Sequence, residues 1–240
     1  MISIHNIDKR FGSLEVLKSI NAEFESGHSY ALIGPNGSGK TTLIKSILGM
    51  VVPNRGTIEV DGVSIKGQWS YREKIGYMPQ IGRYPDNMTI GQLFDMIKDL
   101  RSDVKQIDEE LIEGFELNKM MQKRMHTLSG GTRQKVSAAL AFLFDPKVLI
   151  LDEPTAGLDP IAVEVIKEKI LREMDGDKTF IITSHIMSDL DELSSHALYL
   201  DNGSLIYNDS IGLLKEETGE IRLGKAIATI MKRNKKGITV

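Results

Sequence analysis

One stretch of the sequence decides the fold: Ser29-Tyr30-Ala31-Leu32-Ile33-Gly34-Pro35-Asn36-Gly37-Ser38-Gly39-Lys40-Thr41-Thr42. Its first five residues form an apolar run with the length of a buried strand, and Gly34 ends that run. Apolar residues at helical spacing then predict a helix over 39–50, with Gly49 near its end. A strand, a glycine-rich loop and a helix in this order form a unit that binds phosphate groups.

The loop itself matches the pattern G-x-x-x-x-G-K-[ST] of a phosphate-binding loop. Its glycines let backbone N–H groups curl around a phosphate, and the following helix adds the positive end of its dipole. In this pattern Lys40 reaches the β- and γ-phosphates, and the Thr41 hydroxyl binds Mg²⁺. The alternative is a chance glycine loop, which the strand before it and the helix after it disfavour. The candidate nucleotide-binding residues here are Gly34, Pro35, Asn36, Gly37, Ser38, Gly39, Lys40, Thr41 and Thr42.

Apolar runs and helical patterns alternate along the rest of the chain. Strands are predicted at 57–60, 75–78, 148–151 and 179–183, and helices at 131–144 and 161–174. Two apolar runs around Asp201-Asn202-Gly203 predict a hairpin, and the stretch 2–24 is expected to add antiparallel strands. Buried strands alternating with helices indicate an α/β fold with a mostly parallel sheet, as in the RecA-like core of P-loop NTPases.

The stretch from 81 to 127 has a different character, since it is charged, rich in methionine and helix-prone without a convincing strand. We expect an inserted α-helical subdomain there. The predicted division is a nucleotide-binding core at 1–80 and 134–217, a helical subdomain at 81–133 and a basic tail at 218–240. The last twenty residues contain no acidic residue, and a solvated, partly frayed tail is favoured over binding to anionic lipid. Their basic residues are Arg222, Lys225, Lys232, Arg233, Lys235 and Lys236.

Bulk composition excludes several classes of protein. A formal net charge of −3 argues against a dedicated nucleic-acid binder, which needs an excess of basic residues to neutralise phosphates. The chain contains no cysteine, so disulfides and thiolate metal sites are excluded. The N-terminus lacks the pattern of a signal peptide, and the longest apolar runs are shorter than the roughly 18 residues that span a bilayer. Any membrane-spanning part is therefore expected on another chain.

Two carboxylates end the predicted strand at 148–151. Ligands of open α/β sheets lie at the carboxyl ends of the strands, which is where Asp152 and Glu153 stand. Asp152 is predicted to hold Mg²⁺, and Glu153 to orient and deprotonate an attacking water. Many strands end in an acidic turn, so the pair gains its meaning from the phosphate loop upstream.

The segment Leu128-Ser129-Gly130-Gly131-Thr132 resembles the signature segment of ATP-binding-cassette (ABC) proteins, which otherwise reads LSGGQ. Thr132 departs from it at the last position, where a longer amide side chain is lost. Ser129 and the glycine amides stand at the start of a predicted helix, where they present donors and a positive dipole end to an anion. In the family this segment closes over the γ-phosphate held by a second subunit. The resemblance thus implies that Ser129, Gly130, Gly131 and Thr132 contact the ATP of the opposite subunit.

Four further residues match elements of that family in the family's order. Gln80 matches the glutamine loop that reaches Mg²⁺ and the water, and Asp159 matches the loop that contacts the opposite subunit. His185 matches the switch histidine at the γ-phosphate, and Phe11 stands where an aromatic ring stacks on adenine. A lone histidine or phenylalanine is more typical of a structural residue. The agreement of all the elements in register over about 175 residues favours the functional interpretation.

The resemblance implies hydrolysis of MgATP to ADP and phosphate, with ATP and Mg²⁺ as the bound groups. Lys40, Glu153 and His185 would be catalytic, and the Mg²⁺ ligands would be Thr41, Gln80 and Asp152. It also implies a head-to-tail dimer of two copies with two nucleotides at the shared interface. The expected partners are separate integral-membrane permease subunits, which would place the chain on the cytoplasmic face of the cell membrane.

Two other functions compete with that of a transporter motor. A soluble cassette ATPase acting on ribosomes or DNA is one, but ribosome-associated members usually carry two cassettes in one chain. The DNA-associated members carry a long coiled coil before the signature segment, whereas here about 86 residues without sustained heptads separate Thr42 from Ser129. A phosphate-loop kinase or GTPase is the other, and it explains neither the signature segment nor His185.

Residues of the glutamine loop and the signature segment also indicate a subfamily. The stretches 79–89 and 128–135 are similar to subunits associated with maturation of the copper enzyme nitrous-oxide reductase. Such a subunit contacts its membrane partner and seldom the cargo, so neither the cargo nor the direction of transport is expected to mark this sequence.

Overall fold

The structure is a computed structural model that describes residues 1–235. This part of the chain contains ten strands and eight α-helices, joined by loops and three short 3₁₀ helices. The strands are β1 (Ile2–Phe11), β2 (Leu14–Phe24), β3 (Ser29–Ile33), β4 (Arg55–Val60), β5 (Val63–Ser64), β6 (Ile75–Met78), β7 (Val148–Asp152), β8 (Thr179–Thr183), β9 (His196–Asp201) and β10 (Ser204–Ser210). The helices are α1 (Lys40–Ile47), α2 (Ile90–Leu100), α3 (Glu110–Gly114), α4 (Gly130–Phe142), α5 (Pro160–Met174), α6 (Met187–Leu193), α7 (Ile211–Thr218) and α8 (Leu223–Lys235).

The described residues form two compact units. The first consists of Met1–Arg72 with the segment that begins at Thr179, and the second of Glu73–Lys178. The predicted boundaries of the helical subdomain, at 81 and 133, both lie inside the second unit.

A sheet with mostly parallel pairing forms the centre of the first unit. β3 pairs in parallel with β8 on one side and with β9 on the other, while β10 pairs antiparallel with β9. All five residues of β3 and all five of β8 are buried. This burial agrees with the short apolar runs in the sequence, which predicted parallel strands covered on both faces. The predicted hairpin at 197–207 is confirmed as β9 and β10.

A second, antiparallel sheet in the first unit has the strand order β2-β1-β4-β5. Ile2 lies opposite Phe24 on one side and opposite Val60 on the other, and all three side chains are buried. β4 and β5 are joined by Asp61 and Gly62 with φ of 52° and 77°, the positive values that a tight hairpin turn requires. The expected antiparallel strands near the N-terminus are thus confirmed.

The second unit combines two parallel strands with helices. β6 pairs with β7 so that Ile75 lies opposite Val148 and Met78 opposite Leu151. α4 packs on β6 closely, because a Cβ on Gly76 would lie 2.1 Å from the carbonyl oxygen of Ala141. The first turn of α2 is closed by a reciprocal capping box between Thr89 and Gln92.

The C-terminal segment differs from the expectation of a frayed tail. Residues 223–235 form α8, in which Leu223, Ala226, Ile227 and Ile230 are buried. This spacing of three and four residues is the apolar stripe of an amphipathic helix, and its burial outweighs the presence of the exposed Lys225 and Lys232 on the same helix. The N–H of Leu223 also donates to the Asp191 carboxylate at 3.0 Å. The basic residue Lys236 and residues 237–240 lie outside the described residues.

Among the described helices, none is both long and apolar enough to cross a membrane.

Candidate functional site

The glycine-rich loop lies between β3 and α1 in the first unit. β3 ends at Ile33 and α1 begins at Lys40, preceded by Gly39 with a φ of 111°. Gly39 has no side chain to cap the helix, and no side-chain cap replaces it. The first N–H groups of a helix have no acceptor within that helix, so this N-terminus is suited to an anion.

Two glycines of the loop are required by the close approach of other backbone segments. A Cβ on Gly34 would lie 2.3 Å from the carbonyl oxygen of Leu200, and a Cβ on Gly39 would lie 2.8 Å from that of Val16. The β9–β10 hairpin also holds the loop, because the Gly203 N–H donates to the Ser38 carbonyl at 3.1 Å. The conformation of the loop is therefore fixed by its contacts with neighbouring backbone segments.

Polar side chains of the loop are arranged around its backbone. Lys40 Nζ donates to the carbonyl oxygens of Gly34 at 2.7 Å and Pro35 at 3.1 Å, so its side chain curls back over the loop. Thr41 is exposed at the start of α1. The Ser38 hydroxyl is buried and has no hydrogen-bond partner among the described residues. An unpartnered buried hydroxyl in a loop of this shape fits a ligand that brings hydrogen-bonding oxygens.

His185 stands two residues after β8, on the same edge of the sheet as the loop. Because β3 and β8 run parallel, with Ala31 opposite Ile182, their carboxyl ends meet at one edge. His185 is exposed there, and the Ser184 hydroxyl before it accepts a hydrogen bond from the Ile186 N–H at 2.9 Å. The structure thus brings the predicted switch histidine to the strand edge that carries the loop.

Phe11 is the last residue of β1 and is 50% exposed. The ammonium group of Lys9 lies 4.8 Å from the centre of its ring. Exposure of a large aromatic side chain beside a cation is typical of a surface that contacts a ligand or partner.

The second unit brings Gln80, Asp152 and Glu153 to one edge. β6 and β7 are parallel and in register, and Gln80 follows β6 while the two carboxylates end β7. Gln80 is exposed, Asp152 is half-buried and Glu153 is 7% exposed. The side chains of Gln80 and Asp152 supply the oxygen ligands that hard cations such as Mg²⁺ prefer.

Glu153 has an unusual backbone conformation. Its φ is +57°, in the left-handed region that a residue with a long side chain seldom adopts. Its carbonyl oxygen accepts hydrogen bonds from the Ala156 N–H and from Gln134 Nε2, both at 3.2 Å. Strained backbone of this kind is found preferentially at functional sites.

The signature segment forms the N-terminus of α4. Ser129 is the N-cap residue, and its hydroxyl accepts a hydrogen bond from the Thr132 N–H at 3.2 Å. The hydroxyl groups of Ser129 and Thr132 also lie 2.9 Å apart. Thr132, where the family pattern has glutamine, is thus hydrogen-bonded to the serine of the same segment. Gly130 and Gly131 complete the first turn of the helix.

Asp159 is the N-cap of α5 and lies beside the signature helix. Its carboxylate accepts from the Ala162 N–H at 3.0 Å and from Lys135 Nζ at 2.5 Å. The hydrogen bond from Lys135, followed by that from Ala162, holds the pKa of Asp159 below its usual value. Asp159 is therefore ionised and tied to α4 at neutral pH.

Sequence reasoning missed three residues around these groups: Tyr77, Gln134 and Lys135. Burial, and secondarily the carboxylate of Asp152, raise the pKa of Tyr77 to about 12, so its hydroxyl stays protonated at neutral pH. The spacing of these residues does not indicate their partners, although Gln134 and Lys135 stand only two and three residues after the signature segment, which is a signal of proximity.

The described residues contain no group of three or more His, Cys, Asp or Glu side chains that could hold a metal ion. The carboxylate of Asp152 and the amide oxygen of Gln80 in the second unit agree with the usual mode of Mg²⁺ binding, in which a few protein oxygens are combined with substrate phosphates and water. The first unit therefore offers a loop for a phosphate chain and a histidine, and the second unit offers a carboxylate, as candidate groups for phosphate binding and proton transfer.

The comparisons with known proteins agree with this chemistry. Residues 17–156 match the family model described as "ABC transporter". The chain is 31% identical to the Nod factor export ATP-binding protein I of Ralstonia nicotianae over 86% of its own length and 66% of that protein. It is also 31% identical to the ABC transporter ATP-binding protein YtrB of Bacillus subtilis, over 93% of this chain and 76% of YtrB.

The fold also matches a solved structure. An ATP-binding subunit of an ABC transporter superposes with a TM-score of 0.89 at 23% identity, over 96% of this chain and 99% of the other. The chain therefore has nearly the extent of that subunit, while it spans about two thirds of the Ralstonia protein.

Proposed function

Because the chain belongs to the ABC transporter family and is an ATPase of the cassette type, we propose that it is the motor subunit of a transporter with separate membrane-spanning chains. The observation that carries the proposal is the loop between β3 and α1. It combines an uncapped helix N-terminus, two glycines at which an added Cβ would collide with neighbouring backbone, and a buried hydroxyl without a hydrogen-bond partner among the described residues. These features fit the triphosphate of ATP.

The residues of the two units receive separate roles in this proposal. Loop amides from Gly34 to Thr42 bind the phosphates, and Lys40 leaves its carbonyl acceptors to neutralise the β- and γ-phosphates. Phe11, exposed at the end of β1, offers its ring to adenine. Mg²⁺, when bound, supplies charge neutralisation, with the hydroxyl of Thr41 and the oxygens of Gln80 and Asp152 as its protein ligands.

Glu153 acts as the base for the attacking water. Its position directly after a buried strand, its low exposure and its strained backbone all support a carboxylate that is held in a fixed position. His185 contacts the γ-phosphate and reports its presence. Catalysis then rests on positioning and charge neutralisation, as is usual for phosphoryl transfer.

The signature segment completes the site of a second copy. Ser129 to Thr132 form the N-terminus of α4, and an anion there gains from the helix dipole. One nucleotide does not need two such helix ends of a single chain, so a head-to-tail dimer with two shared nucleotides accounts for both. Asp159 belongs to the loop that contacts the opposite copy.

Closure of the dimer on ATP would drive a conformational change in separate integral-membrane subunits. The chain would then lie at the cytoplasmic face of the membrane. The Ralstonia relative is named an ATP-binding protein for Nod factor export, which supports a transport role without assigning this cargo. The similarity of 79–89 and 128–135 to nitrous-oxide reductase maturation subunits stays a prediction about the subfamily.

Glu153→Gln tests the catalytic part of the proposal. The variant should bind ATP with unchanged affinity, lose nearly all turnover and form a stable dimer with ATP in gel filtration, because the amide cannot take the water's proton. Lys105→Met, an exposed change in the same unit, serves as the control. Wild-type turnover in E153Q would refute the role of Glu153.

Purification of the tagged chain from solubilised membranes tests the transport part. Recovery of an integral-membrane chain in stoichiometric amount is the expected result. Recovery with ribosomes or DNA instead would support the soluble cassette ATPase and overturn the transporter assignment.

A further inference from the structure

The first turns of α4 touch the loop 153–159 with side chains that the roles above leave unused. Gln134 is 7% exposed, and its Nε2 donates to the carbonyl oxygen of Glu153 at 3.2 Å. A buried amide aimed at the backbone of the proposed base is costly to retain unless its hydrogen bond is made. The next residue, Lys135, pairs with Asp159 at the other end of the same loop.

The loop needs such support because Glu153 is in the left-handed region with a φ of +57°. Such a conformation persists in a residue with a long side chain only where the surroundings hold it. The Ala156 N–H, which also donates to the Glu153 carbonyl, belongs to the turn itself and moves with it. The bond from Gln134 comes from a different element and can therefore fix the turn in place.

Backbone packing beside Gln134 leaves little freedom between the helix and the loop. A Cβ on Gly131 would lie 2.5 Å from the carbonyl oxygen of Gly157, so the helix start and the loop are in direct contact. The start of α4 therefore contacts the loop at three points: Glu153 at its beginning, Gly157 in its middle and Asp159 at its end.

We propose that Gln134 is a positioning residue for ATP hydrolysis, which holds the Glu153 backbone so that the carboxylate faces the attacking water. The proposal rests on the role given to Glu153 under the proposed function. The same hydrogen bond joins the signature helix α4 to the Glu153 carbonyl, so a movement of this helix would also move Glu153.

Gln134→Met tests the proposal, because methionine keeps the length and shape of the side chain but cannot donate. The expected result is a kcat about 10- to 100-fold lower, as follows from a small displacement of a catalytic group. KM and the affinity for ATP should stay within about 2-fold, since Gln134 bonds to the backbone of Glu153 and is not among the residues proposed to bind ATP.

Ser137→Ala is the matched control on the same helix. Ser137 is 1% exposed and its hydroxyl is hydrogen-bonded to that of Tyr84 at 3.0 Å, so the variant also loses a buried bond of α4. It should lose stability comparable to Gln134→Met and keep kcat. An equal fall of kcat in both variants would show that Gln134 only supports the helix, and would overturn the proposal.

A double-mutant cycle with Glu153→Gln separates positioning from general structural damage. If Gln134 acts through the Glu153 carboxylate, Gln134→Met should change the residual rate of E153Q by less than about 2-fold. The same fold loss in both backgrounds contradicts the proposal. Wild-type turnover in E153Q alone would instead remove its premise, and that result is obtained without any change at Gln134.

Gln134→Asn covers the case that the methionine variant does not fold. Asparagine keeps the amide but is shorter by one methylene, which carries the donor out of reach of the carbonyl. A kcat within about 2-fold of the wild type in a folded Gln134→Asn protein would overturn the proposal.

Discussion

Lys169→Met perturbs the most buried cation that the structure describes in the second unit. Lys169 lies on α5 with its side chain 5% exposed, and it pairs with Asp108 at 2.5 Å, Glu173 at 2.6 Å and Glu110 at 2.8 Å. Methionine fills similar space without the charge. The variant therefore tests whether this cluster stabilises the fold or is merely tolerated by it.

The size of the effect follows from the partners that remain. Glu173 keeps its ion pair with Lys178 at 2.6 Å, and Glu110 keeps its pair with Arg172. Among the described residues, the Asp108 carboxylate keeps only the hydrogen bond from the N–H of Glu110 at 3.0 Å. One carboxylate of three is thus left without a cation, so we expect the lower end of the usual cost of breaking a buried pair, about 3 kcal/mol. For a chain of this length that corresponds to a fall in Tm of roughly 6–12 °C.

The difference in free energy of unfolding between the wild type and Lys169→Met should depend on pH in a defined direction. Burial alone lowers the pKa of Lys169, but its hydrogen bonds to Asp108, Glu110 and Glu173 outweigh burial and raise it above 10.5. A raised pKa in the folded state gives stability that is complete below the usual value and is lost as the pH rises through the folded value. The difference between wild type and variant should therefore be constant from pH 7 to pH 10 and shrink only above that range.

Urea unfolding followed by circular dichroism, repeated across this pH range, measures the free energy of unfolding of both proteins. Lys105→Met removes an exposed cation of the same unit and should change it by no more than about 0.5 kcal/mol. A loss below about 1 kcal/mol for Lys169→Met at pH 7, or a loss no larger than that of the control, would refute the reasoning.

Three further changes have expected outcomes that local geometry sets. Gly39→Ala should lower the affinity for ATP at least about 10-fold in calorimetry, because a Cβ at φ 111° also collides with the Val16 carbonyl and moves the loop. Thr89→Ala breaks the capping box of α2 and should cost about 1 kcal/mol in thermal unfolding, whereas Thr89→Ser should cost little. Tyr77→Phe should remove one tyrosine that ionises near pH 12 in an absorbance titration at alkaline pH, and an unchanged curve there would contradict the raised pKa.

The central strands of the fold could be predicted because each is specified by a short, contiguous stretch of sequence. The buried strand before the phosphate loop was predicted at 29–33, and β3 occupies those residues; β6 and β8 also agree at both ends. Each is a short apolar run between turn residues, and burial on both faces leaves little choice of residue. Parallel strand order then places Asp152 and Gln80 at one edge and His185 beside the loop, as the order of motifs implied.

The C-terminal helices were not predicted, although α8 has an apolar stripe at helical spacing. Lysine and arginine between the apolar positions made the segment resemble a solvated tail, and only the burial of Leu223 and Ile230 distinguishes the two. Burial depends on whether another surface is available, which the segment's own sequence does not reveal.

The sequence by itself determined the chemistry of this protein, since the phosphate loop, the acidic strand end and the signature segment are contiguous stretches whose residue types set what they bind. Only the tertiary structure decided how the groups are held. The bond from Gln134 to Glu153 joins residues 19 apart, and that from Lys169 to Asp108 joins residues 61 apart. Such contacts depend on how helices and strands pack, because hydrogen bonds and ion pairs require atoms within about 3 Å and sequence spacing places no two distant residues that close.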